Sequence, residues 1–312
     1  MDWKVKAFIQ NCIASVPNTL SYEIYFRMQR YFGNLKKPFN SLKYFSTGVQ
    51  MLRKIQLYGN GINGKTFFEV GSGRAPLMPV VFWLSGAEKT ITMDLNPYLR
   101  NELVKDMLFF VKTQKNEIKN IFGELLDKKR FNQLLEYSEK NKIDKKDILE
   151  LCRIEYIAPG DAAKTNLPPK SIQYHVSRTV YEHIPLTIIH DILKEGNRII
   201  AKDGLFINDI DYGDHFSYMD KNISVINFLQ YSDKEWDKYA GNRYMYMNRA
   251  RHDDFIELFK VVGHDFLEIK PHLDEKIKEM LENNEIALDT RFKNKSKEIL
   301  SITSSLFITR KK

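Results

Sequence analysis

The sequence predicts an α/β chain built on a doubly wound, mostly parallel seven-stranded sheet with helices on both faces, a helical N-terminal segment and inserts. From Thr66 to Asp211, runs rich in β-branched and aromatic residues alternate with amphipathic helical runs, the pattern of parallel strands joined by crossover helices. The first unit, "KTFFEVGSGRAPLMPVVFWLSGAEKTITMDLNPYL" (Lys65–Leu99), reads as strand, glycine turn, helix and second strand. With 312 residues and 43% hydrophobic content, the chain can bury a large core.

Taken in order, the chain opens on a helical segment, 1–58, in which "TLSYEIYFRMQRYF" (Thr19–Phe32) repeats its apolar positions every three to four residues. Such a segment packs against the core or caps a site. "YGNGINGK" (Tyr58–Lys65) is rich in turn residues and separates it from the first strand, "TFFEV". The helix "APLMPVVFWLSG" and the strand "TITMDL" follow, so the main domain is placed at 59–312. Residues 101–150 exceed what one crossover needs and are read as a helical insertion containing "NELVKDMLFFVKTQ" and "FNQLLEYSEK". Strands resume at "RIEYIA", "IQYHVSR" and "GLFINDID", with the helix "LTIIHDILKEGNRII" between the last two. Residues 212–250 break the alternation and are read as an irregular, substrate-covering insert. A helix at "RHDDFIELFKVVG", a strand at "HDFLEIKPH", a helix at "LDEKIKEMLENN" and a terminal strand at "SSLFITRKK" complete the chain.

Composition narrows the function. The formal charge is +8, but Lys and Arg interleave with Asp and Glu, as on a solvated helix face, and no compact basic stripe with aromatics stands out. Nucleic acid is therefore the less favoured acceptor. Cys12 and Cys152 belong to no Cys-x-x-Cys pair or zinc-spaced cluster, which argues for a reducing compartment. The first residues lack the apolar stretch of a signal peptide, and no apolar run approaches the ~20 residues of a membrane span. A cytoplasmic protein is expected.

Gly71 and Gly73 follow the first strand, where ligands sit in an open parallel sheet. A dinucleotide site asks for a small residue three positions after the second glycine, and Pro76 stands there. Acids take the other key places: Glu69 before the turn, Asp94 at the end of the second strand, 21 residues after Gly73, and Asp161 after the third. Three carboxylates around one sheet end suit a ligand with ribose, an exocyclic amine and positive charge but no phosphate. S-adenosylmethionine is such a ligand.

With these residues in view, the chain resembles the class I (Rossmann-like) S-adenosylmethionine-dependent methyltransferases over about Phe67–Asp211. "EVGSGR" resembles the glycine-rich first motif, "TMDLN" the acidic second-strand motif, "GDAAKTNLP" the adenine-site motif and "SRTVYEHI" the fourth-strand motif. The resemblance implies that Glu69, Gly71, Ser72 and Gly73 line the methionine and ribose side. It places Asp94 on the ribose hydroxyls with Leu95 beside it, Asp161 and Ala162 at the adenine, and Ser177 at the end of the fourth strand. Arg74 pairs with the cofactor carboxylate in this reading. The third glycine of the family's first motif is absent, since Arg74-Ala75-Pro76 stands there, and "KDG" replaces the usual "KPGG".

Methyl transfer to a hydroxyl needs alignment and a proton acceptor near the ends of strands four and five. Glu182 and His183 follow the fourth strand, and Asp211, Asp214 and His215 close or follow the fifth. His183 and His215 lead, because imidazole titrates nearest neutrality, with Glu182 and Asp211 as the carboxylate candidates. No metal is expected: the aspartate that metal-dependent catechol-type members carry after strand four is replaced by "YHVSRTV", and Asp209, Asp211 and Asp214 read as a turn. Phe216, Tyr218, Phe228, Tyr231, Trp236, Tyr239 and Tyr244 of the insert are read as a cover over the acceptor or as a small core of their own. Asn242, Arg243 and Arg249 point to an oxygen-rich acceptor. The expected activity is O-methylation of a small molecule or a glycan hydroxyl. The alternatives are an RNA or protein methyltransferase, an N-methyltransferase, a nicotinamide-dependent dehydrogenase, and a non-catalytic scaffold that keeps the cofactor.

Overall fold

The computed structural model describes every residue except 34, 37 and 38. Three helices open the chain: α1 (Trp3–Ala14), α2 (Asn18–Phe32) and α3 (Leu42–Tyr58). Asp2 caps α1 by accepting the Lys4 and Val5 N–H groups, which satisfies donors the first turn leaves open. Along α3, Phe45, Val49, Leu52 and Ile55 recur at three to four residues and are all buried.

The sheet follows. Strands β1 (Thr66–Val70), β2 (Lys89–Met93), β3 (Ile154–Ile157), β4 (Ile172–Arg178) and β5 (Ile200–Asp211) are mutually parallel. β6 (His264–Leu273) and β7 (Ile302–Lys311) pair antiparallel, and β7 is also antiparallel to β5. The order is β3-β2-β1-β4-β5-β7-β6. Chain direction across the sheet reverses between β1 and β4, which opens a crevice beyond their carboxyl ends.

Alternation along β1 sends Phe67 to one face and Phe68 to the other. The Phe67 face packs under α3, α4 (Leu77–Leu84), α5 (Asn101–Thr113), α6 (Lys115–Phe122), α7 (Lys128–Ser138) and α8 (Lys145–Leu151). The Phe68 face packs under α9 (Leu186–Ile199) and α11 (His252–Val261). Four helices thus occupy the region where the sequence shows two. The additional two, α6 and α8, span only eight and seven residues, about two turns each, too few to stand apart from their neighbours as separate helices. β5 begins at Ile200, straight out of α9, rather than at the expected Gly204.

Residues 212–250 are more regular than expected. They contain α10 (Asp233–Ala240), opened by a capping box between Ser232 and Glu235. Phe216, Phe228 and Trp236 enter a third core with Trp3 of α1 and with Ile277, Leu281 and Leu300 of α12 (Glu275–Glu282) and α13 (Lys297–Ser301). Fully buried Arg251 fastens this layer to the sheet by donating to the carbonyls of Tyr212, Leu300 and Ile302. Among the described residues, no helix is long and apolar enough to cross a membrane.

Candidate active site

The glycine turn leaves β1 at the switch point with Gly71 at φ 79° and Gly73 at φ 68°, a region L side chains rarely adopt. Gly71 donates to the Met93 carbonyl, and Gly73 donates to both Asp94 oxygens at 3.3 and 3.1 Å, so the turn is tied to the end of β2. Gly160 donates to the Asp94 carbonyl, which brings the loop after β3 to the same place. Behind Gly71 there is no room: a Cβ would lie 2.8 Å from Cγ2 of Val180.

A cavity of about 370 Å³ opens at this turn. Glu69 faces it from a buried position, with the Thr92 hydroxyl donating at 2.7 Å. Burial pushes its carboxyl up to about 7, against the pull of that hydroxyl. Burial likewise pushes Asp94 up to about 6. Two buried acids with few donors are poised for a cationic, hydroxyl-bearing ligand. Arg74 sits opposite, its guanidinium over the rings of Tyr25 and Phe26 at 5.5 Å each. Among the described residues its buried Nη1 has no acceptor, which suits it to a ligand carboxylate.

Of the expected cofactor residues, Glu69, Gly71, Ser72, Gly73 and Arg74 line this cavity. Asp94 stands next to it through Gly73. Asp161 is exposed and caps its own turn by accepting the Ala163 N–H, Leu95 is exposed, and Ala162 is buried in the core. Ser177 lies beside Val70 in the β1–β4 register with its hydroxyl unpartnered. These four stand outside the cavity wall. Sequence reasoning missed Tyr25 and Gln29 of α2, Tyr44 of α3 and Arg178 of β4, all of which line it. The guanidinium of Arg178 is 4.5 Å over the Tyr44 ring.

Tyr25 and Gln29 also line a second cavity, of about 300 Å³, so the two cavities adjoin at these side chains of α2. Met1, Ile9, Met28, Phe32, Met219 and Met245 make much of this chamber apolar, and His183 and His215 lie in it. The four expected catalytic residues converge here. Ligand atoms of Glu182, His183 and His215 all lie within 4.8 Å of one another, and Asp211 Oδ2 is 3.4 Å from His215 Nε2. The two imidazole rings are 4.9 Å apart. Burial, and then the neighbouring His215, hold His183 down at about 4, so it is neutral near pH 7. Burial and the nearby Asp211 push Glu182 well above the ordinary carboxylate range. Asp214 is committed to the fold, accepting from the Phe216 N–H and the Asn227 amide.

The insert contributes less to the chamber than its composition promises. Tyr218 and Tyr244 line it, whereas Phe216, Phe228 and Trp236 are core. The polar reach expected of Asn242, Arg243 and Arg249 is absent, because each is already engaged. Asn242 donates to Asn11, Arg243 to Asn18 and the Ala14 carbonyl, and Arg249 to the Phe228 and Tyr231 carbonyls and to Asp233.

No family model and no curated protein matches the chain. Among solved structures it is similar to a magnesium protoporphyrin IX methyltransferase from Synechocystis PCC 6803 with bound SAH, at 10% identity and TM-score 0.46 over 100% of both chains. It is also similar to a geranyl diphosphate methyltransferase in complex with SAM, at 11% identity and TM-score 0.47 over 86% of this chain and 85% of that one. An S-adenosylmethionine-dependent methyltransferase from Mesorhizobium loti gives 10% identity and TM-score 0.43 over 83% and 96%. Likenesses this distant carry no argument about activity, and the fold stands on the chain's own topology. Five parallel strands, a crevice between β1 and β4, and β7 running antiparallel between β5 and β6 make this the class I methyltransferase fold.

Proposed function

We propose that the chain is an S-adenosylmethionine-dependent methyltransferase acting on a hydroxyl of a small molecule with an apolar body. The observation that carries this reading is the pair of cavities on either side of Tyr25 and Gln29, one at the glycine turn and one holding the His183/His215 cluster. The bound cofactor supplies a methyl group activated by its sulfonium. Glu69 balances its positive charge, Asp94 accepts from the ribose hydroxyls, Arg74 holds the carboxylate, and Asp161 and Ala162 flank the adenine. In the second chamber the aligned hydroxyl gives its proton to the cluster of His183 and His215, with Asp211 orienting the His215 ring. The apolar methionine and phenylalanine walls favour a lipophilic small molecule over a glycan.

Calorimetry with S-adenosylmethionine and S-adenosylhomocysteine, with NAD as control, tests the cofactor reading. Micromolar binding of the first two is expected, and binding of NAD alone overturns it. Asp94→Ala is expected to weaken cofactor binding by about 1–3 kcal/mol, the cost of losing hydrogen bonds to a charged acceptor. Unchanged affinity in the folded variant removes Asp94 from the ribose. A screen of apolar alcohols and phenols beside sugars then reads the acceptor, and turnover confined to sugars contradicts the apolar assignment.

A further inference from the structure

The acceptor chamber holds a side-chain set that the sequence does not disclose as a ligand motif, because Glu182 and His183 are adjacent while His215 lies 32 residues further on. The ends of β4 and β5 bring them together. Glu182 is 2% exposed, and among the described residues neither of its carboxylate oxygens makes a well-formed hydrogen bond. A buried carboxylate without donors calls for a counter-group. The His183 imidazole is held from behind. His183 Nδ1 is 2.8 Å from the Tyr246 carbonyl, which can only accept, so Nδ1 carries the proton and Nε2 presents its lone pair. His215 Nε2 lies 3.4 Å from Asp211 Oδ2, and among the described residues it is buried without a hydrogen-bond partner, so the ring keeps a nitrogen for a ligand. An imidazole that donates one N–H to a backbone carbonyl or a carboxylate while its other nitrogen stays free is the arrangement outer-shell groups impose on metal-binding histidines.

We propose that Glu182, His183 and His215 bind a divalent transition-metal ion at the floor of the acceptor chamber. One ligand atom from each lies within 4.8 Å of the other two. Metal–ligand bonds of about 2.0–2.2 Å require separations near ~3.3 Å, so side-chain rotation of about an ångström or two closes the site. Two imidazoles and one carboxylate suit zinc, iron, cobalt or nickel better than magnesium or calcium, which prefer all-oxygen sites. Three protein ligands leave a position open toward the chamber. With an ion in place the two imidazoles would act as its ligands and not as the base, and the cation would acidify an acceptor hydroxyl bound there so that solvent water could take its proton. Asp211 is a positioning residue here, acting through His215.

Tag-free protein, stripped with a chelator, is titrated with Co²⁺ by calorimetry and visible absorption, a readout independent of methyl transfer and of cofactor binding. One equivalent of micromolar affinity with a d–d band is expected. Glu182→Gln and His215→Asn are each expected to lower affinity at least tenfold, with S-adenosylmethionine binding unchanged as the check on folding. In the wild-type cobalt form, proton NMR is expected to show exchangeable, strongly shifted imidazole N–H signals from two histidines, so the assignment does not depend on variants that fold. Absence of binding, retention of wild-type affinity by either folded variant, or a cobalt form lacking two such signals overturns the site. A metal-free protein that still binds the cofactor leaves the methyltransferase reading intact.

Discussion

Gly71→Ala is expected to destabilise the protein by about 2–5 kcal/mol and to reduce cofactor binding more than tenfold. Two costs add. The left-handed backbone at φ 79° disfavours any Cβ by about 1–2 kcal/mol, and the methyl group meets Val180 at 2.8 Å, an overpacking worth about 1–3 kcal/mol. Relief by backbone movement shifts the turn that carries Gly73 and its bond to Asp94, so the cavity wall moves with it. Gly73→Ala provides the internal control. It carries the same backbone penalty at φ 68°, but among the described residues nothing lies within 4 Å of the Cβ it would add. Chemical denaturation of the two variants therefore separates the steric part from the conformational part. Val180→Ala in the Gly71→Ala background is expected to restore the steric share, and equal destabilisation of both glycine variants without such rescue refutes the account.

Glu69→Gln is expected to raise the melting temperature of the cofactor-free protein at pH 8 while weakening S-adenosylmethionine binding. In the unfolded chain Glu69 loses its proton near 4.5, whereas in the folded chain burial makes it hold the proton to about 7. Between these values the folded state binds more protons, so this group's stabilising share is full below about pH 4.5 and is lost as pH rises through about 7. The loss is about 3 kcal/mol, taken at 1.4 kcal/mol per pH unit. Above pH 7 a buried anion remains, and a cationic ligand relieves it. Asp94, held up to about 6, acts in the same direction. Melts at pH 5, 6.5 and 8 are compared between wild type and Glu69→Gln, so that the other buried acids and histidines cancel. The variant's advantage should appear only toward high pH, and the melting gain from S-adenosylmethionine should grow with pH in the wild type. A pH-independent difference between the two proteins contradicts the assignment of Glu69.

The sheet was legible because its strands are short apolar runs between turns. The strand limits that slipped, as at Ile200 and Ile302, are those where a helix runs into a strand with no glycine or proline between them. At the cofactor cavity, Glu69, Gly71 and Gly73 could be read because one βαβ unit supplies all of them. Tyr25, Gln29 and Tyr44 could not. An amphipathic pattern tells that a helix face is covered but not what covers it, and these residues reach the cavity only when the N-terminal helices dock. Arg178 was hidden by a strand pattern that reports burial alone. The insert misled in the opposite way, since its aromatics serve a core completed by Trp3 and by the C-terminal helices. The histidine cluster was visible as candidates, but its convergence depends on β4 and β5 being neighbours, a fact of topology.

Since Tyr25 and Gln29 belong to both chambers, the two ligands address the same helix. Whatever position of α2 the first ligand selects, the second must accept. Their affinities are then linked, and the factor by which one alters the other must be the same in both directions.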